Sequence, residues 1–281
     1  MIFLKMISSR IGPNTEETNT ISGNAVKGPV SGATVSAYGL SNGAAGPALA
    51  SATTNARGAF TLSVGDYSGP VMLRMTGGMY TDEATGSNMS IAGSDVMTAV
   101  LANVAAGSTV SGVQMTPVTS MAQAMAEHMS GGMTSANIAT ANAAVGAYFM
   151  VGDILYIPPM NPLVAGSGVA ATQAMMNYGM ALAAMSQYAK NVRMPVSSSL
   201  VTYMMADASD GTMDGTASGS QIMMGGMMMG GGAMMQPDAG TSGLAGAMSD
   251  FLASGMNQSG VTSANMSALM QKLMSANGRM H

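Results

Sequence analysis

The chain has 281 residues and a net charge of −4, with 35 Met and 37 Gly but neither Cys nor Trp. Charged residues make up only 8% of it, against about 25% in ordinary soluble proteins. Nine Lys and Arg in total leave no basic surface for nucleic acid, and the absence of Cys excludes disulfides, thiolate zinc sites and cysteine nucleophiles. The length suits one large domain or two ordinary ones.

Residues 1–19 are predicted to form an N-terminal arm and linker. The first seven residues, MIFLKMI, are mostly apolar, but Lys5 interrupts them and a polar stretch follows. The apolar run is therefore too short for a secretory signal. Because Ile2, Phe3 and Leu4 would be exposed on a monomer, we expect the arm to pack on a neighbouring subunit by adding a strand to an exposed sheet edge.

Residues 20–117 show short β-strands separated by Gly-rich turns. A first strand is predicted over 20–26, another ends at Thr53-Thr54 before a turn over 55–58, and two more are predicted over 95–104 and 109–115. Between them, apolar residues alternate with polar ones, with predicted inward positions at Ala33, Val35, Ala37, Phe60, Leu62, Val64, Val71, Leu73 and Met75. Several short strands spaced by about 10 residues favour a β-sandwich.

Two motifs carry a family resemblance over residues 20–77. The segment 30–35 reads VSGATV, and 53–62 reads TTNARGAFTL, with Asn55 where many family members have Asp. Together they resemble the bacterial carboxypeptidase-regulatory-like, Ig-like domain, whose fold is similar to the transthyretin-like sandwich. The segment 77–86 is similar to stretches in multidomain bacterial surface proteins. The resemblance implies a non-catalytic module of a secreted or surface protein.

After Thr116 the spacing of apolar residues changes from that of a strand to that of a helix. Thr116 and Pro117 suit the cap and first position of a helix that ends at Gly131, and Ser135 can cap the next helix. Later helices are predicted over 169–191, 198–206, 241–254 and 263–276. Polar residues within 169–189 indicate a buried helix rather than a membrane span, so no transmembrane segment is expected. The fold class is predicted as α+β, multidomain: an Ig-like antiparallel β-sandwich over 20–117 followed by an all-α domain over 118–281.

The sequence contains few candidate catalytic groups. The two histidines are His128 and His281, no nucleophile-elbow pattern exists, and Glu127 stands alone. The Asp82-Glu83 pair is predicted to lie in a turn. We therefore predict that the protein is not an enzyme and requires no cofactor.

Three acidic residues, Asp207, Asp210 and Asp214, fall within eight positions. Their oxygens could ligate Ca²⁺, although the spacing is not that of an EF-hand. The preferred interpretation is a helix end followed by two Asp-Gly turns.

Methionine is the sharpest signal. Those on predicted helix faces are expected to fill the core in place of Leu, and they are Met121, Met125, Met129, Met175, Met185 and Met248. The loop 223–235 is different, because its five Gly are expected to leave it no helix or strand face to bury. Soft thioethers select Cu(I), and also Ag(I), so the candidate ligands are Met223, Met224, Met227, Met228, Met229, Met234 and Met235. An adaptable interface and an uninformative flexible loop remain open as alternatives.

Low charge removes the repulsion that keeps proteins monomeric. We therefore predict an extracellular or cell-surface bacterial structural protein that assembles with itself into a filament or coat. A Met-rich copper(I)-binding or storage surface protein is the second hypothesis. An adhesin or glycan-binding module is the third, and the low aromatic content of 4% speaks against it.

Overall fold

The computed structural model describes residues 18–225 and 233–280. Over these residues nine strands precede the first helix, so the predicted α+β class is confirmed. Most of the predicted N-terminal arm lies outside the described residues. The strands are β1 (Thr20–Ala25), β2 (Thr34–Ser41), β3 (Ala44–Thr53), β4 (Ala59–Ser63), β5 (Gly69–Thr76), β6 (Met79–Thr81), β7 (Asn88–Ser90), β8 (Val96–Val104) and β9 (Thr109–Met115).

Two larger sheets share one core. The three-stranded sheet has the order β4-β1-β9, and the four-stranded sheet has the order β3-β2-β5-β8. All nine positions predicted to point inward, from Ala33 to Met75, are buried in the core that the two sheets share. The pairing differs from the prediction of a wholly antiparallel arrangement at one place, because β1 and β9 run parallel. We call residues 18–115 the two-sheet unit.

Six helices follow within the described residues, and we call residues 117–280 the helical half. They are α1 (Pro117–His128), α2 (Ser135–Tyr148), α3 (Gln173–Asn191), α4 (Ser198–Ala208), α5 (Ser242–Ala253) and α6 (Ser263–Ser275). Thr116 caps α1 by accepting the backbone N–H groups of Val118 and Thr119, as predicted. The cap of α2 is Thr134 rather than Ser135, and α3 begins at Gln173 because Thr172 caps it there.

The predicted core methionines lie in the helical half. Met121, Met185 and Met248 are fully buried, and Met125, Met129 and Met175 pack against the same cluster from partly buried positions. Methionine therefore fills this core as predicted.

Strand β8 joins the two halves because both of its faces are covered. Met97, Ala99 and Leu101 point into the core between the sheets, whereas Val100 belongs to the core of the helical half. Helices α1 and α2 pack on the outer face of β8. Burial on both faces explains why the sequence of β8 shows no alternation of apolar and polar residues.

No helix within 18–225 or 233–280 combines the length and the apolar character needed to cross a membrane.

Candidate functional site

The Met-rich loop contains paired strands, which corrects the expectation that it has no face to bury. Two short strands, β10 (Thr216–Ala217) and β11 (Ser220–Gln221), precede it. Strands β12 (Met223–Met224) and β13 (Ala233–Met234) then pair antiparallel, with Met223 opposite Met234. Met224 and Met235 are 2% and 0% exposed and belong to the core of the helical half. A hydrophobic cluster formed by distant helices thus buries residues whose Gly-rich neighbours indicate a loop. Met227, Met228 and Met229 lie outside the described residues.

The exposed members of the segment form a thioether pair. Met223 is 57% exposed and Met234 is 54% exposed. Side chains directly opposite on paired strands have Cβ atoms about 4.5–5.5 Å apart, so two flexible thioethers can converge on one soft cation. Of the four described methionines in the predicted copper site, only these two are both exposed and adjacent.

The three aspartates at the end of α4 act as turn acceptors. Asp207 Oδ1 accepts the N–H groups of Asp214 and Gly215 at 2.9 and 2.7 Å. Asp210 accepts the N–H groups of Thr212 and Ser218, and Asp214 accepts both the N–H and the hydroxyl of Thr216. Among the described residues no group of three His, Cys, Asp or Glu side chains is arranged to hold a metal ion. The geometry is that of the turn interpretation.

Asp207 is unusual because it is fully buried and its Oδ2 has no hydrogen-bond partner in the described part of the chain. Burial raises the pKa of its carboxyl to about 7, since the two backbone N–H groups offset only part of the desolvation and Asp214 and Asp210 add repulsion. The Tyr188 hydroxyl is also buried without a partner, and burial together with nearby Asp238 and Asp207 raises the pKa of Tyr188 to about 12.

A buried ion pair lies where the two halves meet. Lys27 and Glu83, whose side chains are 0% and 3% exposed, form it with a distance of 2.9 Å between Nζ and Oε2. The Ser186 hydroxyl from α3 accepts a hydrogen bond from Lys27 and donates one to Glu83 at 2.5 Å. Glu83 Oε1 accepts the N–H of Gly28 at 2.9 Å. Both oxygens of the carboxylate are therefore satisfied, Oε1 within the two-sheet unit and Oε2 by one residue from each half.

Electrostatics keep Lys27 protonated. Burial by itself lowers the pKa of the ammonium, but the attraction of Glu83, with smaller contributions from Tyr80 and Asp82, outweighs it and holds the pKa above its ordinary value. The Ser186 hydroxyl donates its proton to Glu83 and accepts from Lys27, so in this arrangement the lysine is a donor to the serine. Its role is to hold the two halves together.

Two further carboxylates extend the same interface. Asp82 Oδ2 accepts the Ser197 hydroxyl at 2.5 Å, and Ser197 also bonds the hydroxyl of Tyr80 at 2.9 Å. Asp95 Oδ2 accepts the hydroxyls of Ser198 and Ser199 at the start of α4 at 2.8 and 2.9 Å. The Asp82-Glu83 turn thus supplies hydrogen-bond acceptors to Ser186 of α3 and to Ser197, which directly precedes α4.

His128 and Glu127 lie apart from this interface, at the end of α1. The Nδ1 atom of His128 is 2.9 Å from the carbonyl oxygen of Ala124, and Glu127 accepts a hydrogen bond from Gln123. Among the described residues, neither side chain is hydrogen-bonded to a serine or threonine hydroxyl.

The two edge strands of the four-stranded sheet, β8 and β3, differ in whether other residues cover their backbone groups. At the β8 edge, the backbone N–H of Thr98 donates to Ser120 and its carbonyl oxygen accepts from Thr119, while the carbonyl of Val100 accepts from Asn142. At the opposite edge lies β3, the ten residues AAGPALASAT without a charge. Within 18–225 and 233–280, no strand pairs with its outer side.

Sequence reasoning missed the buried network, and it predicted an exposed sheet edge without assigning that edge to β3. Lys27 is separated from Glu83 by 56 positions and from Ser186 by 159, so no local pattern joins them. One feature of the sequence could have indicated the network, because the chain has only nine Lys and Arg residues. A lysine that stands alone within apolar and Gly-rich sequence, as Lys27 does, indicates a specific partner for its charge.

Comparison with known proteins gives no family. No family model matches the chain, and no curated protein matches it. Among solved structures, a 9R-lipoxygenase from Cyanothece PCC8801 is similar at 10% identity and a TM-score of 0.21, over 74% of this chain and 26% of that one. The chain therefore spans about a quarter of the length of that structure, and a similarity this weak carries no argument about fold or activity.

Proposed function

We propose that the chain is a non-enzymatic structural protein of the bacterial cell surface or exterior that self-associates into a filament or coat. We further propose that its two-sheet unit is an Ig-like sandwich and that the outer edge of β3 is the assembly surface. The observation that supports the proposal is the contrast between the two edges of one sheet: β8 is covered by helix side chains, whereas β3 presents free backbone groups.

An uncovered edge matters because it is a template for another strand. Proteins that remain monomeric blunt such edges with charges, proline or a covering segment. Strand β3 is long and uncharged, and residues 44–48 are exposed on both faces. Pro47 interrupts the row of donors at one point, and the remaining N–H and carbonyl groups suffice for pairing with a strand of a second copy.

Charge substitutions on the edge test the proposal. In Ala45→Lys/Ala48→Lys, two ammonium groups on an edge strand would be brought against a neighbouring strand, so we expect assembly to be lost. The matched control, Ala136→Lys/Ala139→Lys, adds the same charge to exposed positions of α2. Sedimentation velocity and negative-stain imaging should show polymers for the parent and the control and monomers for the edge variant. A monomeric parent, or an edge variant that assembles like the parent, contradicts the proposal.

A deletion identifies the strand that pairs with β3. If residues 1–12 of a neighbouring subunit provide it, deleting them abolishes assembly and leaves a folded monomer. If β3 pairs with β3 of a second copy, the deletion leaves assembly intact, and the arm hypothesis is then rejected.

Copper(I) binding is the second candidate function, supported by the exposed and adjacent Met223 and Met234. The variant Met223→Leu/Met234→Leu keeps size and removes sulfur, so it should lose Cu(I) in competition with a chelator. The control Met224→Leu/Met235→Leu changes the two buried residues that directly follow Met223 and Met234 in the chain and should retain it. Equal Cu(I) affinity in the two variants would rule out this pair as the site.

A further inference from the structure

We infer that the cleft between the two-sheet unit and the helical half binds a small cyclic carboxylate, with Arg57 as the group that recognises the anion. The inference is independent of self-association and rests on the walls, the volume and the charge of this cleft.

The walls of the cleft are rigid and largely apolar. On one side lie Val26 and Pro29 from the two-sheet unit, and on the other lie Leu182 and the segment 158–162 with its three prolines. The backbone of Met160 packs directly on Gly179 of α3, where a side chain would collide with it. Proline rings and a helix in backbone contact leave the walls little freedom to collapse, so the cavity is preformed, as ligand sites usually are.

The volume limits the ligand. The cavity measures about 180 Å³, close to the size that holds one six-membered ring. A second, more polar cavity of about 480 Å³ adjoins it and shares Gly28, Pro29 and Asn161 with it. A ring therefore fits the inner cavity, and polar substituents can extend into the outer one.

Polar groups without partners identify the chemistry. Arg57, at the rim, makes no ion pair or side-chain hydrogen bond with any described residue, although carboxylate and guanidinium match each other in geometry. Glu83 also lines the cleft, but Lys27 already balances its charge. Gln114 is 3% exposed; its amide nitrogen donates to the carbonyl of Gly112, and its Oε1 has no partner among the described residues. A hydroxyl on the ligand can donate to that oxygen.

The experiment uses para-hydroxybenzoate and its neutral counterpart para-hydroxybenzamide as probes. The full chain is labelled at the methionine methyl groups and followed by NMR, with Met160 in the cleft as the reporter and buried Met121 as the reporter of folding. We expect a saturable shift of the Met160 methyl signal, with binding of the acid about tenfold tighter than binding of the amide.

Variants at two arginines complete the test. Arg57→Gln should weaken binding of the acid about tenfold and leave binding of the amide unchanged, while Arg57→Lys keeps the charge and should lie between. The control Arg74→Gln, at an exposed position outside the cleft, should behave like the parent. The inference is overturned if Met160 shows no saturable shift, if acid and amide bind equally, or if Arg57→Gln has no effect. Preferential binding of glucuronate, whose ring carries several hydroxyl groups, over para-hydroxybenzoate would overturn the assignment of an apolar ring.

Discussion

Lys27 shows how one residue joins two parts of a chain that has few charges. Its ammonium is fully buried, and it is stable there because Glu83 and Ser186 replace the water that it has lost. Burying an ion pair costs much of what the attraction gains, whereas leaving one partner alone costs far more. Removing either partner alone should therefore destabilise the chain by more than the intact pair stabilises it.

A double-mutant cycle should reveal this coupling. Lys27→Met leaves a buried carboxylate and Glu83→Gln leaves a buried ammonium, so each should lower the free energy of unfolding by about 3–5 kcal/mol. The double variant should lose clearly less than the sum. Lys190→Met, in which an exposed lysine loses a hydrogen bond to Ala84, should cost no more than about 1–2 kcal/mol. Additive losses in chemical denaturation would show that the two residues do not act as a pair.

Asp207 should make stability depend on pH. Its pKa in the folded chain is raised to about 7 by burial, so between about pH 4 and pH 7 the folded state binds more protons than the unfolded state. Stability should therefore fall as pH rises through this range. Asp207→Asn keeps an acceptor for the N–H groups of Asp214 and Gly215 and removes the charge, so its melting temperature should vary less between about pH 5 and pH 8. An unchanged pH profile in this variant would assign the dependence to another group.

At the scale of elements, the spacing of apolar residues in the sequence identified the strands and helices that have one buried face. Alternation placed the inward residues of β2, β4 and β5 correctly, and capping residues placed the start of α1. The sequence placed the end of β3, predicted at Thr53-Thr54, but not its start, because Gly46 and Pro47 are typical of loops and the pairing there is imposed by the register with β2. The burial of Met224 and Met235 escaped prediction for a related reason, since distant helices supply the apolar surface that covers them.

The tip of the β2–β3 hairpin packs on the turn between α1 and α2 through glycine backbones. Gly43 has φ +77°, and a methyl group on it would collide with the carbonyl oxygen of Gly131. Met133 donates its N–H to the carbonyl of Gly43 at 2.9 Å. The hairpin and the helical half thus meet at a distance that only glycine permits.

Two alanine substitutions separate the effect of the positive φ at Gly43 from the effect of its close approach to Gly131. Gly32 has φ +68° but open space around it, so Gly32→Ala should cost about 1–2 kcal/mol from backbone strain alone. Gly43→Ala meets both strain and overlap, and we expect a loss of about 2–4 kcal/mol in thermal or chemical unfolding. Equal losses would mean that the turn at Gly131 moves away without cost.

At the scale of the whole molecule, the two halves are joined at several places. Both faces of β8 are buried, the Lys27 network bridges to α3, and the aspartates of the two-sheet unit accept hydroxyls near the start of α4. The sequence indicated a change of period at Thr116, which marks a change of secondary structure. Whether it also separates independently stable domains depends on these contacts, because a boundary crossed by a buried core and buried charges is not a linker.

We therefore expect the two halves to unfold in one cooperative transition. Met75 lies in the core between the sheets and Met248 in the core of the helical half, and both are fully buried, so their methyl signals report on each half separately. In a denaturant titration of the full chain the two signals should disappear at the same midpoint. Leu269→Ala, which opens a cavity under α6 far along the chain from the sheets, should cost about 2–5 kcal/mol. If the free energy of the contacts between the halves is larger than the stability lost in this variant, both halves still unfold together. The midpoint of the Met75 signal then falls as much as that of the Met248 signal. A Met75 midpoint that stays at its parental value while that of Met248 falls would show instead that the two-sheet unit is stable by itself.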